Sequence, residues 1–163
     1  MTSNQGELQL EIPSRGTYHL THVVMDVNGT LCLDGELMPG VRDALGQLAE
    51  KIAVHLITAD THGTMGQLQQ ALAISVQRLT RGQDEAEQKA LLVRQIGTVC
   101  TVAVGNGAND ALMLKEAAIG IAILGPEGLA QSALLNADVV VPDILTAISL
   151  LLKPKRLIAT LRR

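Results

Sequence analysis

The sequence predicts a three-layer α/β protein, a parallel sheet with helices on both faces, and three observations predict it. Strand-like and helix-like segments alternate along 163 residues with short connections, the pattern that builds a parallel sheet through crossover helices. One inner segment, 52–57, is apolar except for His55, as in a strand covered on both sides. Polar clusters fall at expected strand ends, where sheets of this kind bind their ligands.

Taken in order, 8–12 and 18–25 read as strands, the first at an edge or in a hairpin, with Ser14-Arg15-Gly16 as turn chemistry between them. Residues 31–37 carry apolar positions on either side of Asp34-Gly35, a short hairpin signal. After Pro39, the apolar residues Val41, Ala44, Leu45 and Leu48 have helical spacing, and Pro39 suits a helix start. The strand 52–57 follows, then a helix over 61–71 and a weak strand over 74–79. A helix over 84–96 carries Ala86, Ala90, Val93 and Ile96 on one face. Strands over 101–104, 119–123 and 139–141 then alternate with helices over 109–117, 127–135 and 144–152, the last read as the final core helix. No repeat, low-complexity segment or interdomain linker interrupts this, and one domain over residues 1–163 is expected.

Composition narrows the functions. The apolar fraction is 47%, and Tyr18 is the sole aromatic residue, so the core is aliphatic and aromatic base-stacking platforms are excluded. Net charge is −3, and the basic residues collect only in the tail Lys153, Lys155, Arg156, Arg162 and Arg163. Nucleic-acid binding is therefore not expected. Cys32 and Cys100 sit in apolar runs and read as small buried hydrophobes in a reducing cytoplasm, not as a disulfide. The first residues are polar, so no signal peptide is expected. The apolar run 139–152 is broken by Pro142 and Asp143 and falls short of the roughly 20 residues a bilayer requires, so no membrane partner is expected.

Four clusters could carry chemistry. Val23-Val24-Met25 delivers Asp26 to a strand end, followed by Val27, Asn28, Gly29 and Thr30. This is either a solvated Asn-Gly turn, or a nucleophile or magnesium ligand with the backbone amides of Val27, Asn28 and Gly29 around an anion. Thr58 ends the next strand before Ala59, Asp60 and a helix. Its hydroxyl suits a phosphate or, equally, a helix N-cap. His62 reads as an exposed loop residue and His55 as a buried, hydrogen-bonded one. Lys89 reads by itself as a solvated lysine paired with Glu85. Finally, Gly105-Asn106-Gly107-Ala108-Asn109-Asp110 runs from a strand into a helix. It resembles a phosphate-cradling loop without the Walker lysine, and its carboxamides and Asp110 offer hard oxygen ligands suited to magnesium.

In this order the clusters resemble the four motifs of the haloacid-dehalogenase superfamily. They lie 32 residues from Asp26 to Thr58, 31 to Lys89 and 21 more to Asp110. The nearest similarity is to the phosphorylation domain of P-type ATPases and their soluble relatives. There Asp-Lys-Thr-Gly-Thr is matched by Asp26-Val27-Asn28-Gly29-Thr30, Thr-Gly-Asp by Thr58-Ala59-Asp60, and Gly-Asp-Gly-x-Asn-Asp by Gly105-Asn106-Gly107-Ala108-Asn109-Asp110. The stretch from Ala117 to Ile123 also looks like the family's strand after the fourth motif, and the resemblance covers roughly residues 23–141.

The resemblance implies a Rossmannoid sheet and a phosphohydrolase working with Mg2+ on a small phosphorylated substrate. Asp26 would attack phosphorus, with Asn28, Thr58 and Lys89 completing the catalytic set. Val27, Asn28, Gly29, Thr58, Ala59, Lys89 and Asn109 would surround the phosphate. Asp26, the backbone carbonyl of Asn28, Asn106 and Asp110 would hold or flank the cation. Two departures matter. Asn28 stands where family phosphatases carry an acid/base Asp, and Asn106 stands where they carry a metal-binding Asp. The first removes a proton shuttle worth about 10²–10⁴-fold, and the second removes charge from the cation site. No cap domain fits between the motifs, only a hairpin flap at about 31–38. The open site would admit large substrates or be covered by a neighbouring subunit of a homo-oligomer. A slow phosphatase and a non-catalytic, regulatory phosphate-binding protein both follow from this pattern.

Overall fold

The computed structural model describes residues 6–59 and 63–163. Asp60, Thr61 and His62 lie outside the described residues, and so do the sequence expectations that fall on them.

The chain opens with an antiparallel hairpin, β1 (Leu8–Ile12) and β2 (Gly16–Leu20), pairing Leu8 with Leu20 and Ile12 with Gly16. β3 (His22–Asp26) leads to the short hairpin β4 (Cys32–Leu33) and β5 (Glu36–Leu37). Its turn residues Asp34 (φ 52°) and Gly35 (φ 81°) are both left-handed, as a two-residue hairpin with a right-handed twist demands. Helix α1 (Val41–Ala49), β6 (Ala53–Thr58), α2 (Thr64–Ala71) and β7 (Ile74–Arg78) follow. Then come α3 (Glu85–Ile96), β8 (Thr101–Gly105), α4 (Ala111–Glu116), β9 (Ile119–Ile123) and α5 (Gln131–Asn136). The last elements are β10 (Val139–Val141), α6 (Ile144–Leu152) and α7 (Pro154–Leu161).

Six strands form the main sheet in the order β10-β9-β8-β3-β6-β7, every described pairing parallel. Alternation along each strand divides the core. Val23 and Met25 of β3, with Val54, Leu56, Val102, Val104 and the three isoleucines of β9, pack under α1, α2, α6 and α7. Val24, Ile57, Ala103 and Ala122 face α3, α4 and α5. Asp26 is two residues beyond Val24, so the period of two aims it at the α3 side of the sheet. Small residues let α4 approach there: a Cβ on Gly120 would lie 2.4 Å from the carbonyl oxygen of Leu114. Between Asp26 and Thr58 lie only the β4–β5 hairpin, α1 and β6, so the fold is capless at that position.

Five sequence expectations are corrected. The segment 18–25 is two strands, because Thr21 changes partners: its N–H donates to Cys100 O (3.0 Å) and its carbonyl accepts from Ala53 N (2.9 Å). The helix expected from 127 begins at Gln131. Residues 125–128 instead form a turn closed by Gly128 N to Gly125 O (2.9 Å), with Gly128 at φ 85°. The basic tail is helix α7, which starts at Pro154 and buries Leu157 and Leu161. Cys100 is half-buried, whereas Cys32 is buried as expected. His55 is also half-buried, its Nε2 3.0 Å from His22 Nδ1, and burial lowers the pKa of both rings. No helix among the described residues is long and apolar enough to cross a membrane.

Candidate active site

Asp26 leaves the carboxyl end of β3 into a tight turn in which Val27 O accepts from the amides of Thr30, Leu31 and Cys32. Gly29 sits at φ 77°, and its N–H donates to Cys32 O (2.8 Å). That amide is thus taken up inside the turn. Asn28 is exposed and lines a cleft of about 290 Å³ together with Asp26, Thr58, Ala59, Lys89, Asn106 and Asn109.

Lys89 supplies the central cation. Asp84 caps α3 by accepting from Glu87 N (3.1 Å), which fixes where the helix starts and which residue reaches the sheet. Lys89, one turn in, is only 1% exposed. Its Nζ donates to Asp26 Oδ1 (2.7 Å) and Asp110 Oδ1 (2.8 Å). The reading of Lys89 as a solvated partner of Glu85 is therefore corrected. Glu85 instead accepts from Asn109 Nδ2 (2.7 Å) at the cleft wall. Burial pulls the Lys89 ammonium down, but the two carboxylates outweigh it and leave its pKa raised. Asp26 is pushed up to about 6, first by burial and then by the charge of Asp110, against the opposing pull of Lys89 and Thr30.

The loop after β8 wraps around Asp110. This fully buried carboxylate accepts from the amides of Asn106 and Gly107 (2.9 Å each) and from Lys89. A Cβ on Gly105 would meet the Asp110 carboxyl at 2.4 Å, so glycine is required there. Asp110 stands behind Lys89 and does not line the cleft, so it acts on the cleft through that lysine. Asn106 lines the cleft. Its Oδ1 lies 3.3 Å from Thr30 Oγ1, which also sits 3.2 Å from Asp26 Oδ2. Thr58, 2% exposed, ends β6 at the cleft, and Ala59 follows it at the rim.

Sequence reasoning assigned no role in the site to Thr30, Glu85, Glu127 or Leu79, yet Thr30 braces the central carboxylate and the other three line the cleft. Thr30 was within the matched motif. Glu127 sits in a Gly-Pro-Glu-Gly turn that gives no signal beyond solvated turn chemistry. The oxygen donors facing the cleft are one buried carboxylate, Asp26, the exposed carboxylates of Glu85 and Glu127, and the carboxamides of Asn28, Asn106 and Asn109. No three His, Cys, Asp or Glu converge as a metal cluster among the described residues. Such a set fits Mg2+, which takes one or two carboxylates and completes its shell with water and phosphate.

No protein-family profile matches the chain. It is 49% identical over 61 residues to an uncharacterised protein of Methanocaldococcus jannaschii, covering 37% of this chain and 66% of that protein. It is 38% identical over 73 residues to the probable phospholipid-transporting ATPase 12 of Arabidopsis thaliana, covering 43% of this chain but 6% of the ATPase. The chain thus spans less than two thirds of these relatives. Among solved structures, it superposes on the 3-deoxy-D-manno-octulosonate 8-phosphate phosphatase of Moraxella catarrhalis, crystallised with magnesium, phosphate and KDO. The TM-score is 0.62 at 21% identity, covering 88% of this chain and 94% of that one. A zinc-transporting PIB-type ATPase gives a TM-score of 0.53 at 23% identity, covering 76% of this chain and 20% of the pump. The chain has the fold of the haloacid-dehalogenase superfamily, and part of its sequence is shared with P-type ATPases.

Proposed function

We propose that this chain is a capless, Mg2+-dependent phosphohydrolase, one catalytic domain over residues 1–163, that works through an aspartyl-phosphate on Asp26. The observation that carries this reading is the Asp26–Lys89–Asp110 cluster, buried at the sheet rim with Asp26 opening onto the cleft. An anionic nucleophile must meet an anionic substrate, and a desolvated ammonium beside that nucleophile offsets the repulsion. Asp26 attacks phosphorus, the phosphorus–oxygen ester bond breaks, and the leaving oxygen takes a proton. Water then attacks the acyl phosphate and releases inorganic phosphate. Thr30 and Lys89 hold the Asp26 carboxylate from two sides, and Thr58 with Ala59 bounds the far wall against the phosphoryl group. Asp26, the Asn28 carbonyl and Asn106 would hold Mg2+, which when bound offsets the substrate's charge.

Asn28 cannot pass a proton to the leaving group, so water must, and turnover is slow. Asn28→Asp should raise kcat by on the order of 10²-fold; an equal or lower rate in a folded variant would defeat that explanation. The substrate is a small phosphorylated molecule in a reducing cytoplasm, and the open cleft either admits large substrates or is covered by a neighbouring subunit. An aryl phosphate assayed with MgCl2 tests the reading. Turnover by the wild type, lost in Asp26→Asn, supports it; equal rates in the two sink it. Asn28 and Asn106 favour a second reading, a regulatory phosphate-binding protein, whose signature is uptake of inorganic phosphate without turnover.

A further inference from the structure

Among the described residues, one carboxylate on the cleft has no partner. Glu127 is exposed on the cleft wall and makes no hydrogen bond or ion pair with another described residue. The other acids nearby are engaged: Asp26 with Lys89 and Thr30, Asp110 with Lys89 and two amides, and Glu85 with Asn109. Its position is specific. A Cβ built on Gly29 would lie 2.3 Å from Glu127 Oε2 and 3.1 Å from Asn106 Nδ2. The Glu127 carboxylate therefore lies over Gly29, beside the Asn106 carboxamide.

Asn106 also fixes the turn that carries Glu127. Its Nδ2 donates to Gly128 O (3.1 Å), and its backbone carbonyl accepts from Ala130 N (2.9 Å). A carboxylate at 106 could not make the first of these bonds. The amide gives up a charge at the cleft and gains a donor that anchors a neighbouring charge. Asp26, Asp110 and Lys89 together carry one net negative charge, and Glu85 and Glu127 on the cleft wall add two more, a field that attracts a divalent cation.

We infer that Glu127 is a Mg2+ partner, its carboxylate joining Asp26 and the Asn106 carboxamide oxygen around the ion or one of its waters. This rests on the Mg2+-dependent reading above. Calorimetric titration of the full chain with MgCl2, without substrate, tests it on wild type, Glu127→Gln and Glu85→Gln. The expected result is an affinity loss of about 10–100-fold in Glu127→Gln and of less than about 3-fold in Glu85→Gln, whose carboxylate is held at the wall by Asn109 Nδ2 (2.7 Å). Unchanged melting without metal would show that Glu127→Gln still folds. Wild-type affinity in Glu127→Gln, or an equal loss in Glu85→Gln, overturns the inference and leaves Mg2+ binding intact. A wild type that takes up no Mg2+ overturns the cation reading itself, and the inference with it.

Discussion

Lys89 decides the energetics of the cleft. It is 1% exposed between two carboxylates, and removing one partner of a buried ion cluster leaves uncompensated charge. Lys89→Met should lower unfolding free energy by about 3–5 kcal/mol in urea and abolish the phosphatase turnover proposed above. The Asp26 carboxyl, raised to about 6, gives two opposite pH trends. The proposed turnover needs the carboxylate, and Mg2+ on Asp26 would hold its pKa below the metal-free value, so turnover should fall with acid only at a pH below about 6. For stability the sign reverses. A raised carboxyl pKa means the folded state prefers the proton, so its stabilisation is full below the ordinary value and is lost as pH rises through 6. In metal-free buffer at neutral pH, Asp26→Asn should therefore melt above wild type, with the gain vanishing towards pH 4. At this scale the sequence exposed Asp26, Thr58 and the 105–110 loop, because each sits where an apolar strand stops. It hid Lys89, whose burial depends on the sheet beneath it and which only the family resemblance picked out. Thr30 and Glu127 were hidden too, because turn chemistry masks their neighbours in space.

Strands were legible wherever their apolar alternation ran uninterrupted. β1, β9, β10 and α6 fall within the expected bounds, since burial on one or both faces writes itself into the pattern. The break at Thr21 was invisible because an exchange of hydrogen-bond partners leaves the side-chain period intact. α7 was missed because a basic run reads as a tail, although Leu157 and Leu161, four apart, are the face it buries. Packing between elements has its own tight point at Gly120, where α4 rests on β9. Gly120→Ala should cost about 1–3 kcal/mol by forcing the Leu114 backbone away, read as a lower urea midpoint. No change would show that α4 can slide at little cost.

For the whole molecule, the alternation of strands and helices was enough to foresee three layers and helices on both faces, because parallel strands must be joined by crossovers. The contribution of the last helix to the larger core was not foreseeable. A chain ending at Lys153 loses Leu157 and Leu161, each buried side chain being worth about 1.5–3 kcal/mol. Its urea midpoint should fall sharply relative to the full chain. The strand order also sets how the molecule is made. β3 lies in the middle of the sheet, flanked by β6 and β8, with His22 opposite Ala53 on one side and Thr101 on the other. As the chain emerges during synthesis, the strand bearing Asp26 comes out before both its neighbours and waits about eighty residues for the second. Long-range pairings of this kind slow folding. The apolar run Val23-Val24-Met25 thus stays open along one edge until β8 is made, and the Asp26 carboxylate is in place only once the later half of the sheet has closed around it.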